Sequence, residues 1–280
     1  MKLKSNVTVI IPCYNDGQYI IKAVDSILNQ TIQADEIIIV DDGSGQETKN
    51  VLKTIYHPNV HIIHQENIGV SNTRNTAIAI AQTEYILNLD ADDYFDPVFI
   101  EKAIQVLNEN ERVGVVGCLV KILKNNIFEK EIKKPLGGGA RNFLVKNNGI
   151  SGSMFRKKCW EEVSGYDEKM ANGYEDWEFW ISILSHNWMM HIIQEPLFIY
   201  RQKAISRDQT ALVKFDFELR KYIFLKHKAL YEAHFEFYAI ELLRQNTLLK
   251  NNVRKAKNSA DYTIGQLLLA PLRFLKKKNI

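Results

Sequence analysis

The sequence predicts an α/β protein, with a mostly parallel central sheet flanked by helices and a C-terminal helical extension. Short β-branched runs alternate with segments of helical periodicity between Val7 and Asp93, which is typical of βαβ units. Polar or turn-forming residues follow each run. From about Thr210 onward, apolar residues recur at helical spacing with no intervening strand pattern. We therefore expect an α/β domain at 1–205 and a helical region at 206–280.

The bulk composition is that of a globular protein. Of the 280 residues, 46% are hydrophobic and 25% are charged, and the net charge of +3 is too small to imply a nucleic-acid partner. Neither a transmembrane run nor a signal peptide is predicted, so the expected location is cytoplasmic. Cys13, Cys118 and Cys159 are too far apart for a zinc pattern and are expected to be buried thiols.

The first two predicted strands are Val7–Pro12 and Glu36–Val40, both rich in β-branched residues and typical of strands buried on two faces. Turn-forming residues follow the first strand at Cys13–Gly17, and Asp41–Ser44 follow the second. Between them, apolar residues share one helical face: Ile20, Val24, Ile27 and Leu28. These elements form the first βαβ unit.

Two more strands complete the regular part of the chain. A polar helix is expected to extend to about Tyr56, and Val60–Ile63 forms the third strand. The turn at Asn67–Gly69 precedes a helix at Val70–Ala81, and Tyr85–Leu87 is a fourth, buried strand. Because ligands bind beyond the carboxyl ends of parallel strands, the polar residues after all four strands are expected to share one rim.

Three carboxylates follow the fourth strand, within Asn88–Asp93. Such a group must be solvated, hydrogen-bonded or bound to a cation, and hard divalent metals prefer oxygen ligands. A solvated turn is the simpler alternative. A calcium loop running from Asp90 to Glu101 is disfavoured, because Tyr94 and Phe95 stand where a ligand and a turn glycine belong. No glycine-rich phosphate loop is present, so a metal is expected to hold any phosphates.

The second half of the chain is less regular. Val113–Leu123 and Ile150–Phe155 are predicted strands, Lys124–Lys134 a hairpin or loop, and Arg156–Val163 a short helix. A further helix begins near Glu175 and extends to about His186.

Glu175 and Asp176 form the second chemical signal. Because adjacent residues on a helix point in different directions, only one of the two is expected to face the cleft. The alternative is a helix N-terminus at which acids are favoured by the helix dipole alone.

The end of the chain, Ile264–Lys278, combines apolar residues with a basic terminus. Two interpretations stay open. Such a segment can lie in an anionic membrane interface, or it can be a packed last helix with a solvated tail.

Together these segments resemble a family 2 glycosyltransferase with the GT-A fold, over roughly Val7–Arg201. The resemblance is carried by six segments of the sequence: VIIPCYN, IIVDDGS, QENIGVSNTRN, LNLDADD, GYEDWEFW and PLFIYR. It implies a nucleotide-sugar donor and a divalent metal, Mn²⁺ or Mg²⁺. The implied acceptor is a hydroxyl of a glycan or lipid-linked glycan.

The resemblance also implies roles for individual residues. Its nucleotide-binding positions are Pro12, Tyr14, Asp42, Asn67, Gly69, Arg74 and Asp90. Pro12 and Tyr14 would flank a pyrimidine ring, and Asp42 would accept from its edge. Asp92, with Asp90 nearby, would ligate the metal. Asp176 would be the general base, with Glu175 beside it.

The implied reaction is direct displacement with inversion. It would move a single sugar from a nucleotide diphosphate donor, with a UDP-sugar as the expected one, for surface polysaccharide synthesis. The Gln-x-x-Arg-Trp segment of processive synthases is absent, which favours single addition. After Tyr200-Arg201 the sequence departs from relatives that carry a histidine. A nucleotidylyltransferase is disfavoured by the lack of a glycine-rich basic loop, and a non-catalytic nucleotide-sugar-binding scaffold is the remaining alternative.

Overall fold

The computed structural model describes residues 5–203 and 210–277. The nine strands found there are β1 (Val7–Cys13), β2 (Glu36–Asp42), β3 (Val60–Gln65), β4 (Tyr85–Asn88), β5 (Tyr94–Phe95), β6 (Val113–Lys124), β7 (Ile127–Lys133), β8 (Met154–Arg156) and β9 (Met189–Gln202). The α-helices of the first 200 residues are α1 (Gly17–Leu28), α2 (Gln46–Leu52), α3 (Val70–Ile80), α4 (Phe99–Glu109), α5 (Lys157–Glu162) and α6 (Glu175–Ser185). Those that follow are α7 (Asp216–Lys226), α8 (Lys228–Ala233), α9 (Phe235–Lys257) and α10 (Ala260–Lys277).

The strands form one sheet in the order β3-β2-β1-β4-β8-β6-β9-β5, with β7 paired to β6. Strands β1 to β4 pair in parallel, and β6 pairs in parallel with β9. Strand β8 runs antiparallel to both β4 and β6, which gives β6 and β9 the same direction as β1 to β4. The predicted mostly parallel α/β sheet is therefore confirmed. It places the carboxyl ends of β1, β2, β4 and β9 at the same rim.

Several boundaries differ from those predicted. Helix α2 ends at Leu52, because Thr54 and Ile55 close turns with their N–H groups and Tyr56 is fully solvated. Strand β8 is shorter than expected and begins at Met154. The segment at Lys124–Lys134 forms a hairpin through β7.

Helix α4 and strand β9 were not predicted at all, although both are amply supported by buried residues. In α4 the buried side chains have helical spacing: Phe99, Ile100, Ala103 and Leu107. The side chain of Glu101 lies in the first turn of this helix and accepts a hydrogen bond from Thr31 Oγ1 at 2.6 Å. A calcium loop over Asp90–Glu101 is thus not formed.

Two layers of hydrophobic core cover the faces of the sheet. One contains the side chains of α1 and α4, and the other those of α3 and α6. Cys13, Cys118 and Cys159 are buried free thiols, as expected. The second core layer also includes Ala211, Leu219 and Ile223 from the region that the sequence assigned to the extension.

The chain divides into two compact units, 1–230 and 231–280. The predicted boundary at 205/206 lies outside the described residues, and the domain assignment stays a prediction. The second unit contains α9 and α10, and α9 has no buried residue. No helix within residues 5–203 and 210–277 is sufficiently long and apolar to cross a membrane.

Candidate active site

A pocket of about 420 Å³ lies at the carboxyl ends of β1, β2, β4 and β9, which is an ordinary size for a small-molecule site. Seven of the residues predicted for the site line it: Pro12, Tyr14, Asp42, Asn67, Gly69, Asp90 and Asp92. Arg74, Glu175 and Asp176 do not line it. The predicted residues therefore form two groups, one that lines the pocket and one that lies outside it.

Tyr14 and Asp42 both line the pocket, but they differ in their exposure to solvent. The Tyr14 ring is 52% exposed, whereas Asp42 is only 4% exposed. The loops that carry them are joined, because Asn15 N–H donates to Ser44 Oγ at 2.9 Å and Gly45 N–H donates to Asn15 Oδ1 at 2.9 Å. An exposed ring offers a face on which a base can stack, and a carboxylate can accept a hydrogen bond from the edge of that base.

The Asp42 carboxylate holds the turn at Asn67–Gly69. Its Oδ1 accepts from Ile68 N–H at 3.0 Å and from Gln65 Nε2 at 2.8 Å, and its Oδ2 accepts from Gly69 N–H at 3.0 Å. Gly43 permits this close approach, since a Cβ there would lie 2.7 Å from the backbone nitrogen of Asn67. Two separate segments of the sequence thus form a single wall of the pocket.

Asp41 supports the same wall from inside. Its carboxylate is fully buried, and it accepts from Ser44 N–H at 3.0 Å and contacts His64 Nδ1 at 2.8 Å. Burial alone would raise its pKa, but the hydrogen bonds from Ser44 and His64 outweigh burial and lower the pKa. Asp41 is therefore ionised and fixes the loop that carries Asp42.

Arg74 lies behind the pocket with a 1% exposed side chain. Its guanidinium donates through Nε to Asn88 Oδ1 at 3.1 Å, through one terminal nitrogen to Glu175 Oε1 at 2.9 Å, and through the other to Asp90 Oδ1 at 2.7 Å. Burial opposes its charge, yet the carboxylates of Asp90 and Glu175 raise its pKa. Arg74 joins the end of β4 to the start of α6.

Tyr166 packs against this ion cluster. The Arg74 guanidinium lies 5.2 Å from the centre of the Tyr166 ring, which is stacked on Phe179 at 3.8 Å. The pKa of Tyr166 is raised, chiefly by burial and further by the charges of Asp176, Asp90 and Glu175. Its hydroxyl is buried without a hydrogen-bond partner among the described residues.

The two acids at the start of α6 point in different directions, as expected from their adjacency. Glu175 is 4% exposed and turned inward to Arg74, whereas Asp176 is half-buried. Asp176 Oδ2 accepts from Asn147 Nδ2 at 2.8 Å. The chain enters α6 through Tyr174 in the left-handed conformation, at φ 60°. The more accessible acid is the one for which the resemblance implies a proton-transfer role.

The three carboxylates after β4 have three different environments. Asp90 contacts Arg74, Asp92 Oδ2 contacts Lys203 Nζ at 2.9 Å, and Asp93 is 2% exposed. Asp93 Oδ1 accepts from Arg201 N–H at 2.7 Å. Burial, with the charges of Asp92 and Asp90, raises the pKa of Asp93 well above its usual value. Asp93 therefore serves the structure of the loop.

Asp90 and Asp92 both line the pocket. Asp92 has the less accessible side chain, 20% exposed against 28% for Asp90. Burial raises its pKa, and Lys203 acts in the opposite direction. Its backbone carbonyl accepts from Arg201 Nε at 3.1 Å, so the end of β9 holds both the backbone and the side chain of Asp92.

The carboxylates of the pocket determine whether it could hold a divalent metal. No cluster of three or more His, Cys, Asp or Glu side chains that could hold a metal occurs in the described part of the chain. Mg²⁺-type sites, however, commonly use one or two carboxylates and complete their coordination with substrate phosphates and water. Asp92 in an open pocket fits that pattern, with Asp90 alongside it.

Four contributors to the site were not assigned a site role from the sequence: Gln65, Asn88, Asn147 and Lys203. Each is remote in sequence from the group that it contacts, so no local pattern identifies it. Lys203 lies two positions after Arg201 of the Tyr200-Arg201 segment, and this proximity was the one available signal.

Comparison with known proteins identifies relatives for most of the chain. The family model described as Glycosyl transferase family 2 matches residues 8–163. Chondroitin synthase of Escherichia coli is 27% identical over 76% of this chain and 31% of its own length. Hyaluronan synthase of Pasteurella multocida is 26% identical over 83% of this chain and 24% of its own length. The chain thus spans a quarter to a third of these relatives.

A crystal structure of S. aureus TarS residues 1–349 in complex with UDP-GlcNAc has the same fold. It aligns with a TM-score of 0.62 at 19% identity, and covers 75% of this chain and 61% of that one. At this identity the similarity concerns the fold alone.

Proposed function

Because the chain belongs to glycosyl transferase family 2, we propose that it moves a single sugar from a nucleotide diphosphate donor, preferentially a UDP-sugar, to an acceptor hydroxyl with inversion. The observation that carries this proposal is the shared rim: Tyr14, Asp42 and Asp92 line one pocket, and Arg74 connects its Asp90 wall to the helix that carries Asp176. One buried ion cluster would thereby connect the proposed nucleotide pocket to the helix that carries the proposed base.

The pocket wall formed by Tyr14 and Asp42 would hold the pyrimidine base. Tyr14 would stack on its face, and Asp42 would accept the imide N–H of uracil through the lone-pair capacity left on its carboxylate oxygens. Asn67 and Gly69 would pack beside the nucleoside, and Asp90 would face the ribose. The complexes of TarS with UDP and with UDP-GlcNAc support the choice of a uridine donor.

Asp92 would hold Mn²⁺ or Mg²⁺, with Asp90 nearby. When bound, the metal would supply charge neutralisation for the departing diphosphate. The protein would contribute an anchored carboxylate, because Arg201 and β9 fix the loop that presents Asp92.

Asp176 would act as the general base. As the acceptor oxygen forms its bond to the anomeric carbon, its proton passes to the Asp176 carboxylate, and the bond between the anomeric carbon and the diphosphate oxygen breaks with its electron pair on that oxygen. Asn147 holds Asp176 through a 2.8 Å hydrogen bond and would orient the carboxylate toward the acceptor. Attack opposite the leaving group inverts the anomeric configuration.

The acceptor is proposed to be a glycan or lipid-linked glycan in surface polysaccharide synthesis, reached from the cytoplasmic face of the membrane. The second unit supports peripheral membrane contact, since α9 exposes Leu242, Leu243 and Leu249 and ends with Arg254, Lys255 and Lys257. Exposed apolar and basic side chains together favour an anionic membrane interface. The segment Ile264–Lys278, which the sequence predicts for this contact, extends beyond the described residues at Lys278.

The catalytic proposal is tested by release of nucleotide diphosphate from a panel of nucleotide sugars with Mn²⁺ and candidate glycan acceptors. Asp176→Asn keeps the size of the side chain but removes the base, and a loss of about 10²- to 10⁴-fold in kcat is expected. Asp92→Ala should also abolish turnover. Asp25→Asn, on the exposed face of α1, is the matched control and should retain full activity. An active Asp176→Asn variant would refute the base assignment.

A further inference from the structure

The ammonium group of Lys203 occupies a position between two pocket carboxylates. Its Nζ lies 2.5 Å from Asp16 Oδ1 and 2.9 Å from Asp92 Oδ2. All three side chains are partly accessible, at 29%, 21% and 20% exposure respectively. A positive charge is thus already present at the carboxylate that is proposed to ligate the metal.

Lys203 is the cationic side chain that pairs with Asp92 in the described residues. The guanidinium of Arg74 is committed to Asp90 and Glu175, and that of Arg201 donates to the Asp92 carbonyl and to Asn126 Oδ1. Lys203 therefore shares its single positive charge between Asp16 and Asp92.

An ammonium and a divalent cation cannot both sit close to Asp92 Oδ2 without mutual repulsion. Lysine carries its charge on a flexible stem and binds phosphate as a point charge, so it can exchange one anionic partner for another. Because Lys203 and Asp92 line the same pocket, the diphosphate of a donor bound there would lie near Lys203.

We propose that Lys203 is an intramolecular counter-ion that holds Asp16 and Asp92, and that it would exchange partners on ligand binding: Asp92 would turn to hold the metal, and the Lys203 ammonium would contact the donor diphosphate. This inference rests on the proposed function, since it needs a metal and a diphosphate in this pocket. Lys203 would oppose the binding of the metal alone and favour the binding of the diphosphate.

The exchange makes the binding of metal and donor mutually dependent. A metal that binds alone must leave the Lys203 ammonium without Asp92, whereas a metal that binds with a nucleotide diphosphate gives that ammonium a new anionic partner. Since coupling between two binding equilibria is reciprocal, each ligand should strengthen the other. Lys203 should supply part of that coupling.

The test compares Lys203→Met with the wild-type protein. Mn²⁺ binding without nucleotide, followed by the electron paramagnetic resonance signal of free Mn²⁺, should become about three- to fivefold tighter, the range expected for a partly exposed ion pair. Calorimetric titration of UDP at saturating Mn²⁺ should show weaker binding by a similar or larger factor. Opposite changes for the two ligands are the signature of exchange.

Three further variants serve as controls. Lys102→Met removes a charge from the partly exposed pair with Glu195 outside the pocket and should change neither affinity. Lys203→Arg keeps the charge and should preserve weak Mn²⁺ binding. Lys203→Gln is a second neutral variant, and it replaces Lys203→Met if circular dichroism shows that the latter is misfolded.

Unchanged or weaker Mn²⁺ binding in the neutral Lys203 variants would overturn the inference, even if UDP binding falls. If the wild-type protein binds UDP with an affinity independent of Mn²⁺, the proposed metal dependence fails and this inference fails with it. If Mn²⁺ and UDP couple equally in the wild type and in Lys203→Met, the proposed function stands and only the exchange is refuted.

Discussion

At the scale of single residues, the contacts of Arg74 explain why the chain needs an arginine at this position. One buried guanidinium donates to Asn88, Asp90 and Glu175 at the same time. An ammonium cannot reproduce this geometry, because it is compact and lacks the planar arrangement of five donors. Arg74 therefore acts behind the pocket by fixing two carboxylates, and a direct contact with nucleotide is not needed to explain it.

The first prediction concerns this residue. Arg74→Lys should lower the free energy of unfolding by about 2–4 kcal/mol, because at least one buried carboxylate loses its hydrogen-bonded partner. Urea unfolding followed by circular dichroism measures the change. Arg244→Lys is the matched control, since the Arg244 side chain is 61% exposed in its pair with Glu241, and it should leave the unfolding midpoint unaltered. An equal effect of the two substitutions would contradict the proposed importance of the buried cluster.

At the scale of elements, helix α6 is fixed from two sides. Arg74 binds its first residue, and α7 binds its middle through Glu178, which is fully buried. Glu178 Oε1 contacts Lys226 Nζ and His227 Nε2, each at 2.8 Å, and accepts from Ser182 Oγ at 2.7 Å. Since α6 also carries Asp176, these contacts should determine where the proposed base lies.

The second prediction concerns the charge on Glu178. Burial would raise its pKa, but His227 and Lys226 outweigh burial and lower the pKa below the ordinary value of 4.5. The carboxylate therefore stabilises the folded state fully above pH 4.5, and this contribution is lost as the pH falls through the lowered pKa. Glu178→Gln should cost about 1–3 kcal/mol at neutral pH, with a smaller difference from wild type in acid.

Chemical denaturation at several pH values measures this difference. Glu218→Gln on α7 is the matched control, because Glu218 is 69% exposed beside Lys221 and should change stability by less than about 0.5 kcal/mol. A stability difference for Glu178→Gln that stayed constant down to strongly acidic pH would show that its charge is not responsible.

At the scale of the whole molecule, the first compact unit extends to Leu230, well beyond the boundary expected from the change in sequence pattern. Ala211, Leu219 and Ile223 are buried in the core layer that contains α6. Side chains of α7 also bond to earlier parts of the chain, since Arg220 donates to the Val145 carbonyl at 2.9 Å. The helical character of this region was predictable from the sequence, and the domain boundary at 205/206 stays a prediction.

The third prediction follows from this division. A chain that ends at Leu230 should keep a melting temperature and UDP affinity close to those of the full chain. A chain that ends at Lys203 should be several kcal/mol less stable, because burying Leu219 and Ile223 alone contributes about 1.5–3 kcal/mol each. Thermal unfolding and calorimetry compare the three lengths. Equal stability of the two shortened chains would place the boundary near the one expected from the sequence.

The same shortened chain tests the proposed membrane contact. The full chain should sediment with vesicles of phosphatidylglycerol and less with vesicles of phosphatidylcholine, and the chain ending at Leu230 should remain in the supernatant. Retention of vesicle binding without α9 and α10 would remove the second unit from the proposal.

The sequence by itself determined the α/β class, because buried parallel strands need apolar residues on both faces and the polar ends of Val7–Pro12 and Glu36–Val40 marked the rim. It also determined the family, through motifs that are local in the chain. Helix α4 and strand β9 were not predicted. Helix α4 lies between two of these motifs, whereas β9 contains PLFIYR but includes Pro196, which is atypical of a strand interior.

Only the tertiary structure decided which contacts each of the three acids after β4 makes. Asp90, Asp92 and Asp93 are nearly adjacent in sequence, yet Arg74, Lys203 and the Arg201 backbone give them different environments. The partner of Asp92 lies more than a hundred positions along the chain, on the far side of the sheet order. Charge compensation depends on distance in space, which short sequence motifs do not record, and only the tertiary structure brings Lys203, next to the end of β9, to the loop that follows β4.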